Sequence, residues 1–244
     1  MGIGIIGVRG IPEVRRGDNL AALIQACAAA GGHTLDSATI VVVAQKVVSK
    51  AEGAEVDLRT VEPSALARDW AGQWNRDPRL IEVVLQQSRR IVKMERGVLI
   101  AETHHGFIAA NAGVDQSNVP GADCVTLLPA DPDASACRLR RQLGCGVVVI
   151  SDTFGRPWRE GLVNIAIGVS GLEPLDDYRG RADYTGKPLQ STVIAVADEI
   201  AAAAGLVMRK AEGIPVALVS GLDWTAAEGS GRKLLRDPAH DLFR

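Results

Sequence analysis

Short apolar runs alternate with longer helical segments along this chain, and that alternation limits the possible folds more than any other feature. The runs have the length and the β-branched composition of buried strands, whereas the longer segments carry helix start and stop signals. Strands are predicted at residues 4–8, 39–44, 98–102, 107–110, 147–151, 162–169 and 215–219. Helices are predicted at residues 20–30, 63–74, 78–90 and 191–210, with a further one that begins at Asp131. The pattern predicts a mixed α/β fold of interleaved strands and helices.

The ends of the first predicted helix are marked by local signals. Asp18 stands where an N-cap belongs, and Gly31 and Gly32 follow an alanine-rich segment. Before this helix, residues 9–17 form a loop with a turn at Gly10. The polar residues 45–53 follow the second predicted strand directly.

The composition indicates which residues must build the core. The 244 residues suffice for one large domain or for two interlocked ones. Hydrophobic residues make up 47% of the chain, but aromatic residues only 4%. The core must therefore consist mainly of Ala, Val, Leu and Ile.

Charge and cysteine usage exclude several classes of protein. A net charge of −2 argues against a general nucleic-acid-binding protein, which usually carries a basic excess. No apolar run approaches the ~20 residues that span a bilayer, and the apolar start is too short for a signal peptide. The cysteines form no CxxC pair, so we expect reduced, mostly buried thiols in a cytoplasmic protein. They are Cys27, Cys124, Cys137 and Cys145.

The common phosphate-binding motifs are not supported. Residues 180–187 resemble a P-loop, but they have one residue too many between the glycines, and Pro188 stands where Ser or Thr should follow. No GxGxxG motif follows a predicted strand, so a Rossmann dinucleotide site is not supported either.

Two acid-bearing segments are the strongest candidates for chemistry. Asp115 lies in the small, polar segment 111–118 after an apolar strand, while Asp152 and Thr153 follow the predicted strand 147–151. Carboxylates at strand ends suit Mg²⁺ or Mn²⁺, which take oxygen ligands and leave room for phosphate oxygens. The alternative is that each aspartate only caps a turn.

Basic residues and histidines allow two interpretations each. Lys50 could hold a phosphate as a point charge or be a solvated surface lysine. Arg156 and Arg159, in the predicted loop 155–161, could bind a carboxylate or phosphodiester or form surface ion pairs. Adjacent His104 and His105 would face opposite sides of a strand, so we expect a turn there rather than a metal site.

Taken together, several segments resemble the gamma-glutamyl ligase family of coenzyme F420 biosynthesis. The matching segments occur in the family's order and cover nearly the whole chain. They are Gly10–Pro12 with Gly17 and Asp18, VVSKAEG at 47–53, NAGVDQSN at 111–118, LLPADPDAS at 127–135, DTFGRPWR at 152–159 and VADEIAA at 196–202.

The resemblance implies a reaction and its cofactors. GTP and two divalent cations, Mg²⁺ or Mn²⁺, would activate a carboxylate of the F420 precursor as an acyl phosphate, and the amine of L-glutamate would attack it. A K⁺ ion is a further candidate, and later rounds could add gamma-linked glutamates. Two alternatives stay open: a non-catalytic module that binds F420 or a nucleotide, and an acid–amine ligase for another carboxylate.

The resemblance also implies roles for particular residues. Asp115, Asp152 and Thr153 correspond to metal ligands, and Arg156 and Arg159 join the two aspartates as catalytic candidates. The nucleotide-binding candidates are Ile11, Pro12, Glu13, Val14, Gln45, Lys50, Asn118, Val207, Met208, Arg209, Lys210, Ala211, Glu212, Gly213 and Ile214.

The sequence departs from the family's pattern in two places. Arg209, Lys210 and Ala211 stand where relatives are glycine-rich and can be acidic, so Glu212 or the backbone is an alternative ligand of the second cation. Gln45 stands where a hydroxyl residue is common.

The family's domain organisation is the last expectation. It implies one ligase domain over residues 1–244, a family-specific mixed α+β fold and an intertwined homodimer. In some bacterial relatives a nitroreductase-like domain follows. The chain is therefore either a stand-alone ligase or the ligase part of a longer protein.

Overall fold

A computed structural model of the protein describes residues 2–116 and 123–242. The helices are α1 (Leu20–Ala30), α2 (Gln45–Glu52), α3 (Ala65–Trp74), α4 (Pro78–Gln86), α5 (Pro132–Leu143) and α6 (Val196–Met208). The strands are β1 (Gly4–Gly7), β2 (Ile40–Ala44), β3 (Glu55–Asp57), β4 (Ser88–Glu95), β5 (Val98–Thr103), β6 (Ile108–Ala110), β7 (Cys124–Thr126), β8 (Val147–Arg156), β9 (Arg159–Ser170), β10 (Asp176–Asp177), β11 (Val193–Ile194) and β12 (Val216–Ser220). The predicted mixed α/β class is confirmed.

The central sheet has five strands in the order β1-β12-β2-β8-β9. Only β2 and β8 run parallel, in a register that pairs Ile40 with Val147 and Ala44 with Ser151. Alternate residues of these strands pack into two hydrophobic clusters, one that includes residues of α1 and α5 and one that includes residues of α6. Because both faces are covered, the strands are continuous apolar runs rather than alternating ones.

A smaller lobe is inserted into the chain between α2 and α5. It contains the antiparallel sheet β4-β5-β6, the pair β3-β7 and helices α3 and α4. Leu58, Trp70, Val84 and Leu99 are among the buried residues of its own hydrophobic cluster. The lobe also carries Asp115, whose backbone exchanges hydrogen bonds with Thr126 at 3.0 and 2.8 Å.

Several local predictions require correction. The helix predicted at residues 191–210 begins only at Val196, because Val193 and Ile194 pair with β10 as strand β11. The N-cap of α1 is Asn19, whose side chain accepts from the amide of Ala22 at 3.1 Å, whereas Asp18 accepts from the amide of Arg15. The predicted helix 78–90 ends at Gln86, because residues 88–95 pair with β5 as strand β4. The polar residues that follow β2 form a helix, α2, which was not predicted.

The predicted loop 155–161 is the tip of a β-hairpin. Strand β8 continues to Arg156 and β9 begins at Arg159, since cross-strand pairs such as Phe154 with Val163 extend the ladder beyond the end of β2. Trp158 adopts a positive φ of 58° in the turn. Tertiary pairing thus overrides the turn signals of glycine and proline in this segment.

The predicted turn at the two adjacent histidines is confirmed. The turn at His104 and His105 joins β5 and β6, which pair antiparallel. In the segment 180–187, the Asp183 carboxylate accepts from the amides of Thr185 and Lys187, so this loop binds its own side chain and is not a P-loop. Among the described residues no helix is both long enough and apolar enough to cross a membrane.

The cysteines are free thiols, as predicted, but their predicted burial is wrong for most of them. Only Cys145 is buried, and the other three are half-buried. They lie on the partly exposed sides of their elements rather than in the centre of a cluster.

The intertwined homodimer stays a prediction, tested by the chain's mass in solution. Large apolar side chains are exposed at Ile3, Ile6, Leu162 and Leu206, and an obligate interface of about 2,000 Å² or more would cover such groups. We expect light scattering coupled to gel filtration to give about 51 kDa, twice the 25.7 kDa of the chain. The melting temperature should rise with protein concentration. An active monomer at micromolar concentration would contradict the prediction.

Candidate functional site

The largest group of predicted site residues meets in one cavity of about 640 Å³. It lies beyond the carboxyl ends of β2 and β8, the parallel pair that ends at Ala44 and Ser151. Side chains that follow parallel strands converge at this edge, where ligands of α/β sheets commonly bind. The sheet topology thus explains the position of the cavity.

Two carboxylates from separate parts of the fold approach each other there. Asp152 follows Ser151 on β8, and Asp115 comes from the smaller lobe. Burial raises the pKa of the Asp152 carboxyl to about 6, the amide of Thr153 opposes this rise, and the charge of Asp115 adds to it. The alternative that each aspartate only caps a turn does not account for this convergence.

Three lysines surround the carboxylates. Lys46 Nζ lies 2.7 Å from Asp115 Oδ2, Lys50 pairs with Glu13, and Lys210 donates to the hydroxyl of Thr153. Lys50 is only 5% exposed, so the solvated-surface interpretation is wrong. Its burial follows from its position on the inner side of α2.

The charges in the cavity act on one another. Loss of contact with water lowers the pKa of the Lys210 ammonium, and the charges of Asp152, Lys46 and Asp115 also act on it. These two carboxylates and two ammonium groups therefore share one electrostatic environment.

The amino-terminal end of α2 also faces the cavity. Ala44 is the N-cap and has no side-chain oxygen to accept from the first-turn amides, and Gln45, Lys46 and Val47 line the cavity beside it. The positive end of the helix dipole makes such a helix end favourable for an anion. Buried Gln45 accepts a hydrogen bond from Ser49 at 2.8 Å, so its side chain is fixed within the helix.

Both predicted nucleotide-binding loops contribute walls, but not with every residue. Ile11, Pro12, Glu13 and Val14 line one side, and Met208, Arg209, Lys210, Ala211, Gly213 and Ile214 line another. Val207 and Glu212 instead line a separate cleft of about 360 Å³. There the Glu212 carboxylate pairs with Arg209 at 2.7 Å and with Arg9 at 3.9 Å. Asn118 lies outside the described residues.

Arg156 and Arg159 are not among the described residues that line the cavity. The Arg156 guanidinium contacts the backbone carbonyls of Glu160 and Gly161 at the tip of the hairpin. Arg156 is four positions after Asp152 along the strand, which corresponds to about 13 Å. Among the described residues that line the cavity, Leu162 is the one nearest along the chain to this hairpin tip.

Sequence reasoning missed several cavity residues. Lys46 is one helical turn before Lys50, a spacing that places both on one side of a helix once α2 is assigned. Asn164 accepts a hydrogen bond from Thr153 at 3.0 Å, since the two are cross-strand partners. No local signal identifies Asn164, because its position depends on the register of β8 and β9.

The oxygen donors fit one divalent cation. Asp115 and Asp152 provide hard carboxylate oxygens, as Mg²⁺ and Mn²⁺ require, with room in the cavity for phosphate oxygens and water. The described residues contain no cluster of three or more His, Cys, Asp or Glu side chains that could hold a metal by themselves. A cation here would therefore depend on ligand oxygens as well.

A mixed sheet whose edge brings paired carboxylates, lysines and an open helix end together is typical of an enzyme for charged substrates. Comparison with known proteins defines the class further. The model of the F420-0:gamma-glutamyl ligase family matches residues 8–221. The chain belongs to this family, and the resemblance drawn from its motifs is confirmed.

Curated relatives match over most of their length. A protein of Methanothermobacter thermautotrophicus named coenzyme F420:L-glutamate ligase is 44% identical over 100% of both chains. Proteins with the same name from Methanopyrus kandleri and Methanocaldococcus jannaschii are 43% and 40% identical, over 95% and 87% of this chain and 94% and 87% of theirs.

Proposed function

We propose that the protein is a GTP-dependent ligase that joins L-glutamate to the F420 precursor F420-0 through an amide bond and then adds further gamma-linked glutamates. Family membership supports glutamate ligation in F420 biosynthesis. The observation that carries the proposal is the convergence of Asp115, Asp152 and Lys50 with the open end of α2 in one cavity.

The proposed reaction has two steps. A carboxylate oxygen of the precursor attacks the γ-phosphorus of GTP, the bond between this phosphorus and the bridging oxygen breaks, and GDP leaves as the acyl phosphate forms. The glutamate amine then attacks the acyl carbon, the bond to phosphate breaks, and the amine loses a proton as the amide forms. A carboxylate is a poor acyl donor, so the phosphate is needed as a leaving group.

The cavity residues would divide the binding of charged groups among them. The amino-terminal end of α2 and the Lys50 ammonium, which both line the cavity, would hold phosphate oxygens. Asp115 and Asp152 would hold Mg²⁺ or Mn²⁺, which when bound offsets the charge of the phosphates and of the reacting carboxylate. The preference for GTP and a role for K⁺ stay predictions.

A direct assay tests the proposal. We expect incubation of the protein with F420-0, L-glutamate, GTP and Mn²⁺ to yield a product heavier by one glutamate residue, detected by mass spectrometry. Omission of GTP or of the cation should abolish it, and replacement of GTP by ATP tests the nucleotide preference. A protein that binds F420-0 and GTP but forms no product would support the non-catalytic alternative. If product forms from another carboxylate but not from F420-0, the result would support the alternative of an acid–amine ligase for a different carboxylate.

Arg159 provides a test of how far the precursor extends. It lies outside the cavity but follows the hairpin from the rim residue Leu162, so a long substrate could reach it. Arg159→Lys keeps the charge but loses the planar fork. We expect the KM for F420-0 to rise about tenfold, the effect of one charge-assisted hydrogen bond, and the KM for GTP to stay unchanged. Equal effects on both constants, or none, would contradict a precursor contact.

A further inference from the structure

An ammonium group contacts a hydroxyl that is predicted as a cation ligand. Lys210, in the segment where a ligand of the second cation is expected, donates a hydrogen bond from Nζ to Thr153 Oγ1. The same hydroxyl donates to Asn164 Oδ1 at 3.0 Å. A threonine hydroxyl has one proton and two lone pairs, so Lys210 takes one of the two lone pairs and places a positive charge directly beside this oxygen.

The chain direction after α6 places this lysine in the cavity. Arg209 ends the helix with a φ of 50°, and its guanidinium contacts Glu212. The next side chain, Lys210, extends to Thr153 on β8. The two neighbouring basic residues thus contact different partners: Arg209 lies between the two clefts and pairs with Glu212, whereas Lys210 contacts Thr153.

The alternative ligand for a second cation is turned away. Glu212 is paired with Arg209 and Arg9 and lines the other cleft. Within residues 2–116 and 123–242, no third acidic side chain joins Asp115 and Asp152 in the cavity lining except Glu13, which is paired with Lys50. The described donor set therefore fits one dication but not two.

We propose that the Lys210 ammonium, held by Thr153, supplies the positive charge that a second divalent cation would otherwise provide, so that each chain binds one divalent cation with its nucleotide. The inference rests on the proposed function, since it assumes a nucleotide and a first cation at Asp115 and Asp152. An ammonium group has three N–H donors; Lys210 gives one to Thr153, so two are left for phosphate oxygens, and no full shell of oxygen ligands is needed.

The ammonium group of Lys210 disfavours a second dication at this position. Lys210 and Lys46 lie in the same cavity as Asp115 and Asp152. A second dication beside Thr153 would stand next to the Lys210 ammonium and be repelled by it.

Counting bound metal tests this inference. The full-length chain is dialysed to equilibrium against Mn²⁺ and GDP, and the excess Mn²⁺ on the protein side is measured by elemental analysis. We expect one Mn²⁺ per chain for the wild type and two for Lys210→Gln, which removes the charge and adds an amide oxygen. Lys210→Arg keeps the charge and should bind one, and Lys187→Gln, outside the cavity, should also bind one.

The outcomes separate this inference from the proposed function. Two Mn²⁺ on the wild type, or one on Lys210→Gln, would overturn the role of Lys210 and leave the first cation site standing. A wild-type protein that binds no Mn²⁺ would overturn both the role of Lys210 and the cation site at Asp115 and Asp152. Circular dichroism checks folding, and Lys210→Asn replaces the glutamine variant if that variant fails to fold.

Discussion

Replacing Asp152 by asparagine is expected to reduce the ligase rate by about 10²–10³-fold, the effect of removing one group that stabilises charge in a transition state. The variant loses one of the two carboxylates that converge in the cavity, and with it the proposed hold on the divalent cation. The measurement is kcat at saturating F420-0, GTP and Mn²⁺.

The folded state should tolerate this change. Burial is the main reason why the pKa of Asp152 is raised to about 6. The ionised carboxylate therefore destabilises the folded state. Asparagine has nearly the same shape and no charge, and the melting temperature should therefore not fall. Asp177→Asn is the matched control, because Asp177 forms an exposed ion pair with Arg179 outside the cavity. Wild-type turnover of Asp152→Asn at limiting Mn²⁺ would reject the assignment.

Replacing Lys50 by methionine is expected to raise the KM for GTP about 10- to 100-fold, with a smaller effect on the KM for F420-0. Hydrogen bonds to a charged group are worth about 1.5–3 kcal/mol, and the Lys50 ammonium lies beside the open end of α2 in the cavity. Steady-state kinetics with each substrate varied in turn provide the measurement, together with calorimetric titration of GDP.

The effect should be on binding rather than on folding. Methionine fills the buried space of the lysine stem, and the cost of keeping an ammonium group away from water is removed with the charge. The carboxylate left behind, on Glu13, is mostly exposed and stays solvated. Lys93→Met is the control, since Lys93 forms an exposed pair with Glu95 in the smaller lobe. An unchanged affinity for GDP would exclude Lys50 as a phosphate ligand.

Local sequence signals determined most of the elements that form the central sheet. Residues 40–44 and 147–150 are apolar without interruption, because both faces of β2 and β8 are buried, and that property is visible in the sequence itself. The start of α5 was equally clear, since Asp131 caps the helix and Pro132 occupies its first turn. Where two capping residues were adjacent, as at Asp18 and Asn19, sequence alone did not distinguish them.

The composition of the site was predictable, whereas its arrangement was not. The motifs identified Asp115, Asp152 and Lys50, but the burial of Lys50 and the convergence of the two aspartates depend on how the smaller lobe packs against the central sheet. The same dependence applies to Asn164, which meets Thr153 only through the register of a long hairpin. Secondary-structure propensity depends on a few neighbouring residues. It cannot predict these contacts, because they join residues that are far apart in the chain.

The sequence by itself determined the fold class, the family and the identity of the charged groups, because apolar runs, caps and motifs are local features. Only the tertiary structure decided that Lys210 faces Thr153 while Glu212 faces Arg9. One residue separates Lys210 and Glu212 along the chain, yet the turn that ends α6 directs their side chains into different clefts. The direction of a side chain after a turn is set by the backbone angles and by the partners that the fold provides. Neither can be predicted from the neighbouring residues alone.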